Sequence, residues 1–352
     1  MYKIALGGSQ HMPAQDLDWK NLPFAYLKTD YNMRSYYRDG AWGKIEASSS
    51  EFIDIHMAAT SLHYGQQAFE GMKAYRGLDK KIRLFRWQDN ANRMNRSAQA
   101  LLMPEVPAGL YKEAVFSAVE MNQHFVPPYE SGATLYIRPL LIGTGPQVGV
   151  KPAPEYLFIV FVTPVGPYFK EGFKPVDFII TRKYDRAAPL GTGHVKAGGN
   201  YAAGLLAMQK AHEQGYASVI FLDAKEKAYI DECGPANFFA IKDNTYITPQ
   251  SSSILPSITN LSLMDLAGDR GMTVEHRPIK VEELATFDET GACGTGAIIT
   301  PIKKIADHQS DRVYEYCRDG EVGPITQKLY ESLLNIQHGA APDKFGWVEI
   351  IA

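Results

Sequence analysis

The chain has 352 residues, of which 45% are hydrophobic, and a formal net charge of −3. This length suits two domains of ordinary size or one large α/β unit, and the hydrophobic content is normal for a protein with a sizeable core. The nearly balanced charge gives no electrostatic reason to expect nucleic acid or an acidic membrane surface as a partner.

Cysteine usage and apolar runs bear on the compartment. Cys233, Cys293 and Cys317 are widely spaced and form no CxxC motif, which predicts a reducing compartment with neither a disulfide framework nor a metal site. The first fifteen residues lack a basic segment followed by a long apolar run, so no signal peptide is predicted. The longest apolar run, Tyr156–Val162, is too short to cross a bilayer. We expect a cytoplasmic protein.

The first half of the chain mixes strands and helices. Strands are predicted at Ala68–Tyr75 and Lys81–Phe85, joined by a turn that contains Gly77. Asp89 stands where the N-cap of a helix over Asn90–Leu102 is expected. Hydrophobic periodicity and proline positions then predict a helix at Tyr111–Phe125 and strands at Thr134–Ile142 and Glu155–Val162.

The segment Pro164–Pro175 is rich in proline and glycine, so we interpret it as a linker between a small N-terminal domain (1–163) and a larger C-terminal domain (176–352). A long surface loop is the alternative. The elements predicted beyond it are strands Val176–Thr181, Ser218–Leu222, Ala228–Asp231, Phe238–Lys242 and Thr245–Thr248, with helices Tyr201–Glu213 and Asn260–Gly268. Strands are too numerous for regular βαβ alternation, which favours mixed α+β sheets over a Rossmann sheet.

The most informative segment is GTGHVKAGGNYAAG, residues 191–204, in which Lys196 is followed by small residues. Small neighbours leave room for a flat ring at the lysine amine, and an amine in a partly dry pocket becomes a nucleophile toward aldehydes. A Schiff-base lysine needs both properties. Taken alone, a solvated loop lysine explains the same letters equally well.

Three further features suit a phosphorylated aldehyde cofactor. Glu232 lies at a strand end before a Gly-Pro turn, where a carboxylate can face a pyridine nitrogen, although a solvent-facing acid is the simpler explanation. The helix start at Ser257–Asn260 offers backbone N–H groups to an anion, as any ordinary N-cap does. The turn that contains Thr295 can bind phosphate or carboxylate through its N–H groups. Arg93 is a candidate phosphate ligand, with Arg96 as an alternative. Together these features point to pyridoxal 5'-phosphate.

Seven blocks in the same order resemble the branched-chain amino acid aminotransferases, which are pyridoxal phosphate enzymes of fold type IV. They are HYGQQAFEGMKAYRG (63–77), RLFRWQDNANRMNRSA (83–98), LYIRPLLIGTGPQVGV (135–150), KAGGNYAAG (196–204), IDECGPANFF (230–239), ILPSITNLSLMDLA (254–267) and CGTGAIITP (293–301). The resemblance implies a two-domain α+β fold like that of D-amino acid aminotransferase, with a barrel-like second domain. It also implies a homodimer that moves nitrogen from leucine, isoleucine or valine to 2-oxoglutarate by a ping-pong mechanism.

The resemblance also implies roles for individual residues. Lys196 would bind the cofactor covalently and shuttle the proton, Glu232 would pair with the ring nitrogen, and Tyr201 would hydrogen-bond the phenolic oxygen. The phosphate ligands would be Arg93, Ile258, Thr259 and Thr295. The substrate residues would be Tyr64, Phe69, Tyr136, Arg138, Thr295 and Gly296, with Val148 and Val150 from the neighbouring subunit.

Among these substrate residues, Arg138 would take the second carboxylate of glutamate. A D-amino acid transaminase and an aminodeoxychorismate lyase share the fold type and are the alternatives. A binding protein without catalysis is disfavoured because Lys196, Glu232 and Tyr201 are all present.

Overall fold

The computed structural model describes residues 12–168, 172–317 and 320–351. Contacts divide the chain into two compact units. The first comprises the residues up to Tyr168 together with those from Gln337 onward, and the second comprises the residues between them. The signal-peptide prediction for residues 1–11 and the part of the predicted linker at 169–171 lie outside the described residues.

The first unit is built on an antiparallel sheet. Its strands before the unit boundary are β1 (Asn32–Arg38), β2 (Ala41–Trp42), β3 (Glu46–Ser48), β4 (Gln67–Phe69), β5 (Met72–Arg76), β6 (Ile82–Phe85), β7 (Thr134–Gly143) and β8 (Tyr156–Val165). Its helices there are α1 (Thr60–His63), α2 (Trp87–Ala100) and α3 (Ala108–Glu120). In the described ranges the strand order is β6-β5-β7-β8-β1-β2, with β3 on β1 and β4 on β7.

The second unit contains a closed barrel. Its strands are β9 (Val176–Thr181), β10 (Ser218–Leu222), β11 (Ile230–Cys233), β12 (Ala236–Lys242), β13 (Thr245–Pro249), β14 (Thr273–Arg277), β15 (Glu289–Gly294), β16 (Ile298–Asp307) and β17 (Arg312–Glu315). The order β11-β10-β9-β16-β15-β12 returns to β11 through an additional β11–β12 pairing, which closes these six described strands. The predicted mixed α+β sheets with a barrel-like second domain are therefore confirmed.

Helices cover the outside of this barrel. The helices of the second half are α4 (Gly198–Glu213), α5 (Ile258–Asp269) and α6 (Pro324–His338). Ala207 and Ala211 of α4 are buried with Val219 and Phe221 of β10 in one apolar cluster. Small alanines let the helix approach the strand closely, and this fixes where α4 begins. In the described ranges no helix combines the length and apolar content that crossing a bilayer requires.

Two local predictions need correction. The strand predicted over Ala68–Tyr75 is broken between β4 and β5 at Glu70 and Gly71, because the Glu70 carboxylate is fully buried in an ion pair with Arg93. The helix predicted after an Asp89 cap begins earlier. Arg86 is its N-cap residue, with a left-handed φ of 50°, and Asp89 lies in the first turn, where it pairs with Arg86 at 2.5 Å.

The C-terminal segment belongs to the first unit. Strand β18 (Val348–Ile350) pairs antiparallel with β6, and Glu349 accepts hydrogen bonds from Trp87 and Lys112, each at 2.6 Å. The sequence-based boundary placed residues 337–352 in the second domain, whereas the structure groups them with the first. Strand pairing between residues so far apart in sequence leaves no local signal.

Candidate active site

The strand register of the barrel brings several predicted site residues to one end of the sheet. Glu232 on β11 is paired with Asn237 on β12, and Asn237 is paired with Cys293 on β15. The Asn237 amide donates to the Leu255 carbonyl at 3.1 Å, which ties the segment before α5 to the same row. The start of α5 and the turn after β15 therefore lie at the barrel end that carries Glu232.

Glu232 is a deeply buried acid. Its side chain is 4% exposed and accepts from the Leu255 backbone N–H at 2.6 Å, with the Arg186 guanidinium 3.2 Å away. Burial raises the pKa of Glu232 to about 7, and Arg186 and the Leu255 N–H oppose that rise. The simpler explanation, a solvent-facing acid, is therefore wrong. Such a carboxylate is suited to a cationic partner that shares its desolvated site.

Lys196 lies just before α4, whose N-cap residue is Ala197. Its half-buried amine donates to the Tyr201 hydroxyl at 2.9 Å. The preceding loop is held by Asn200, whose amide donates to the Thr192 and Val195 carbonyls at 2.6 and 2.7 Å. The first turn of the helix thus fixes the loop, and the loop directs the amine.

The helix start predicted as an anion site has the geometry of a capped helix. The Ser257 hydroxyl accepts from the Asn260 N–H at 3.3 Å, and α5 begins at Ile258. Ile258 and Thr259 are buried in its first turn. Thr295 and Gly296 form the half-buried turn between β15 and β16. The cap explains Ser257 fully, and the first-turn N–H groups remain suited to an anion.

Arg93 is placed in the first unit, on α2, and is 4% exposed. Its guanidinium donates to both oxygens of Glu70, at 2.8 and 2.7 Å. This bidentate pair balances the arginine charge. A phosphate role for Arg93 stays a prediction, in which the arginine would serve two anions.

A second arginine of the first unit is less fully satisfied. Arg138 on β7 donates to the Tyr136 hydroxyl at 3.1 Å and lies 4.8 Å above the ring of Phe69. Its buried Nε has no hydrogen-bond partner among the described residues. A guanidinium stacked on aromatic rings with an unused donor is suited to binding a carboxylate.

Gly71 leaves space for this group. A Cβ at position 71 would lie 2.2 Å from the Tyr136 hydroxyl. Gly71→Ala is therefore expected to displace Tyr136 and, through it, Arg138, and to lower the free energy of unfolding by about 1–3 kcal/mol. Chemical denaturation measures the effect. Gly109→Ala is the matched control, because a Cβ there meets nothing within 4 Å. Equal stability of the two variants would contradict the packing argument.

Tyr64, Val148 and Val150 are on the surface of the first unit. The Tyr64 hydroxyl donates to the Val148 carbonyl, so the segment around 148 is tied to the end of α1. Val148 and Val150 are each 84% exposed, which is unusual for valine. The structure of one chain therefore does not bring these valines into a pocket.

One residue of the site was missed by sequence reasoning. Arg186 is the ion-pair partner of Glu232, and it also donates to the Gly193 carbonyl at 3.0 Å. The chain has 36 lysines and arginines, and nothing in the letters around Arg186 distinguishes it from the others. Only its distance of ten positions from Lys196 hinted at a common loop.

Comparison with known proteins places this geometry in context. The family model for amino-transferase class IV matches residues 67–305. A branched-chain-amino-acid aminotransferase of Haemophilus influenzae is 50% identical over 341 residues, covering 95% of this chain and 98% of the relative. Another, of Helicobacter pylori, is 49% identical over 337 residues, covering 95% and 98%.

Solved structures agree with the sequence relatives. The branched-chain amino acid aminotransferase of Escherichia coli is similar with a TM-score of 0.76 at 28% identity, covering 92% of this chain and all of that one. A second branched-chain amino acid aminotransferase, whose source is abbreviated T.th., was solved with pyridoxamine 5'-phosphate. It gives a TM-score of 0.76 at 27% identity, with 93% of this chain and 100% of that one covered. Both kinds of comparison extend over most of the chain.

Proposed function

The chain belongs to the amino-transferase class IV family, and we propose that it moves the amino group of L-leucine, L-isoleucine or L-valine to 2-oxoglutarate. The products are the branched 2-oxo acids and L-glutamate. The observation that carries the proposal is the lysine–tyrosine pair of Lys196 and Tyr201 in a chain 50% identical to a branched-chain-amino-acid aminotransferase. The relatives at this identity favour neither the D-amino acid transaminase nor the lyase.

The residues of the second unit fit pyridoxal 5'-phosphate. The buried, partly neutralised Glu232 suits a pyridine nitrogen, and the half-buried Lys196 amine suits the aldehyde. Tyr201 would hydrogen-bond the phenolic oxygen. When bound, the cofactor supplies a ring that withdraws electrons from the bonds around the substrate Cα.

Lys196 and Tyr201 have complementary tasks. The Lys196 Nζ would carry the proton that leaves the substrate Cα and return it on the other side of the reaction. The Tyr201 hydroxyl, 2.9 Å from that nitrogen, orients the amine and accepts its hydrogen bond. Because the Asn200 amide holds the loop carbonyls of Thr192 and Val195, the amine has a fixed origin for this movement.

The phosphate would be held by several weak donors rather than one strong cation. The first-turn N–H groups at Ile258 and Thr259 point out of α5 along its positive end. The Thr295 turn would add further donors, and Arg93 would add charge. A site built from backbone donors keeps its geometry when individual side chains move.

The substrate residues would combine an apolar pocket with one cation. Tyr64, Phe69 and Tyr136 would contact the branched side chain, while Thr295 and Gly296 would bind the α-carboxylate. Arg138 would take the second carboxylate of glutamate, which its unused Nε supports. Leucine-like and glutamate-like side chains would then share one pocket, with the guanidinium at its margin.

We also propose a cytoplasmic homodimer. The supporting observation for the dimer is the exposure of Val148 and Val150, 84% each, since a partner subunit would cover them and use them as a wall of its pocket. The three cysteines are free and buried in the described structure, which suits a reducing compartment.

A half-reaction tests the function. Cofactor-loaded protein is mixed separately with L-leucine and D-alanine, and the visible absorbance of the lysine-bound cofactor is followed. L-leucine is expected to bleach the band and 2-oxoglutarate to restore it. Bleaching by D-alanine alone would transfer the chain to the D-amino acid branch, and no bleaching by either would remove the aminotransferase assignment of the site.

A further inference from the structure

Arg186 is a buried cation that the proposed chemistry does not use. Its side chain is 8% exposed, and its Nη2 lies 3.2 Å from Glu232 Oε1. The same nitrogen donates to the Gly193 carbonyl at 3.0 Å and to the Ser253 carbonyl. One guanidinium thus joins the buried acid, the lysine loop (residues 191–196) and the segment before α5.

The segments that Arg186 joins are tightly packed. A Cβ at Gly193 would lie 2.1 Å from the Ser253 carbonyl oxygen, so the lysine loop approaches that carbonyl as closely as glycine permits. Two carbonyl oxygens pointing into one buried space need a donor between them. Arg186 is that donor, and a planar guanidinium can serve several oxygens at once, whereas an ammonium is a compact point charge.

The charges that face Glu232 come from several elements. Arg186 and Lys196 favour its ionised form, while the adjacent Asp231 and burial itself disfavour it. The thiols of Cys233 and Cys293 are buried next to it, and Glu232 raises the pKa of both. Without Arg186, the remaining support would be Lys196 and the Leu255 N–H.

We propose that Arg186 is a positioning residue that keeps the Glu232 carboxylate ionised and directed, and that couples it to the lysine loop through the Gly193 carbonyl. The inference rests on the proposed function, because an ionised acid at Glu232 is what a cofactor ring nitrogen would need. Its effect on proton binding is nevertheless a property of the protein without cofactor, which allows the two to be tested separately.

The first test is the thermal midpoint of the cofactor-free protein against pH. Burial holds the pKa of Glu232 in the folded state near 7, above its ordinary value of 4.5. Its contribution to stability is therefore complete below pH 4.5 and is lost as pH rises toward 7. Arg186→Gln removes an opposing charge, so the loss is expected to continue between pH 7 and 9.

Arg182→Gln is the matched control for this test. It removes an arginine from a 2.8 Å pair with the buried Asp307 in the same unit. Because Arg182 lowers the pKa of Asp307, the effect of this variant lies at acid pH. The additional loss in Arg186→Gln is expected to disappear in Arg186→Gln/Glu232→Gln. An Arg186→Gln profile that matches the control, or an additional loss that persists in the double variant, would overturn the proposal.

The second test is cofactor affinity, measured by absorbance titration with pyridoxal 5'-phosphate at pH 8. Arg186→Gln is expected to weaken binding about tenfold, the effect of losing one charged hydrogen bond, and Arg182→Gln to leave it unchanged. Arg186→Lys, which keeps the charge without the planar fork, is expected to fall between wild type and Arg186→Gln.

Should Arg186→Gln fail to fold, Arg186→Lys decides alone, and affinity equal to wild type would reject the positioning role. A wild-type protein that binds the cofactor but exchanges no nitrogen with L-leucine would instead reject the proposed function and leave the proton-binding result standing.

Discussion

Lys196→Ala is expected to lower kcat for L-leucine and 2-oxoglutarate by more than about 10⁴-fold, because both covalent attachment and proton transfer depend on this amine. The visible band of the lysine-bound cofactor is expected to vanish as well. Steady-state rates and an absorbance spectrum measure the two effects. The assignment would fail if the variant kept both the band and measurable turnover.

Lys210→Ala is the control for this change. Lys210 is an exposed lysine of α4 that pairs with Glu213 at 2.7 Å, so its loss tests the helix without touching the amine. Tyr201→Phe completes the series, since it keeps the ring beside Lys196 and removes only the hydroxyl that accepts at 2.9 Å. A smaller loss is expected there, about 10-fold, as for one hydrogen bond to a charged group.

Arg138→Ala is expected to raise the KM for glutamate about 10- to 100-fold while changing the KM for leucine less than about threefold. Only glutamate carries a second carboxylate, and a hydrogen bond to a charged group contributes about 1.5–3 kcal/mol. The measurement is a comparison of KM for the two amino acids in the same variant.

Arg38→Ala serves as the control for Arg138→Ala, because Arg38 belongs to the same sheet but forms an exposed pair with Glu155. Exposed pairs contribute little. Equal changes for leucine and glutamate in Arg138→Ala would take the side-chain carboxylate away from Arg138 and make the arginine a support for Tyr136.

Local sequence signals predicted most elements of the fold. The proline-bounded and alternating apolar runs gave β9 and β10 to the residue. The turn at Asp243 and Asn244 has the left-handed φ values of 47° and 59° that a tight hairpin needs. These features depend on neighbours in the chain, so the letters contain them.

The errors arise where distant residues decide the structure. The break between β4 and β5 depends on Glu70 meeting Arg93, and the place of residues 348–350 depends on pairing with β6. The same holds for Arg186, whose partners are Glu232 and two carbonyls of other segments. Lys196 and Glu232 could be proposed from local sequence and resemblance, but the network that supports Glu232 needs coordinates.

The pairing of β18 with β6 has a consequence for synthesis. The first unit is discontinuous in sequence, since its sheet includes residues 348–350. While a ribosome is still making the second unit, β6 presents an unpaired edge, and such edges promote intermolecular association. The continuous second unit has no such delay. Nascent chains are therefore most exposed to aggregation in the interval between completion of the barrel and emergence of the last strand.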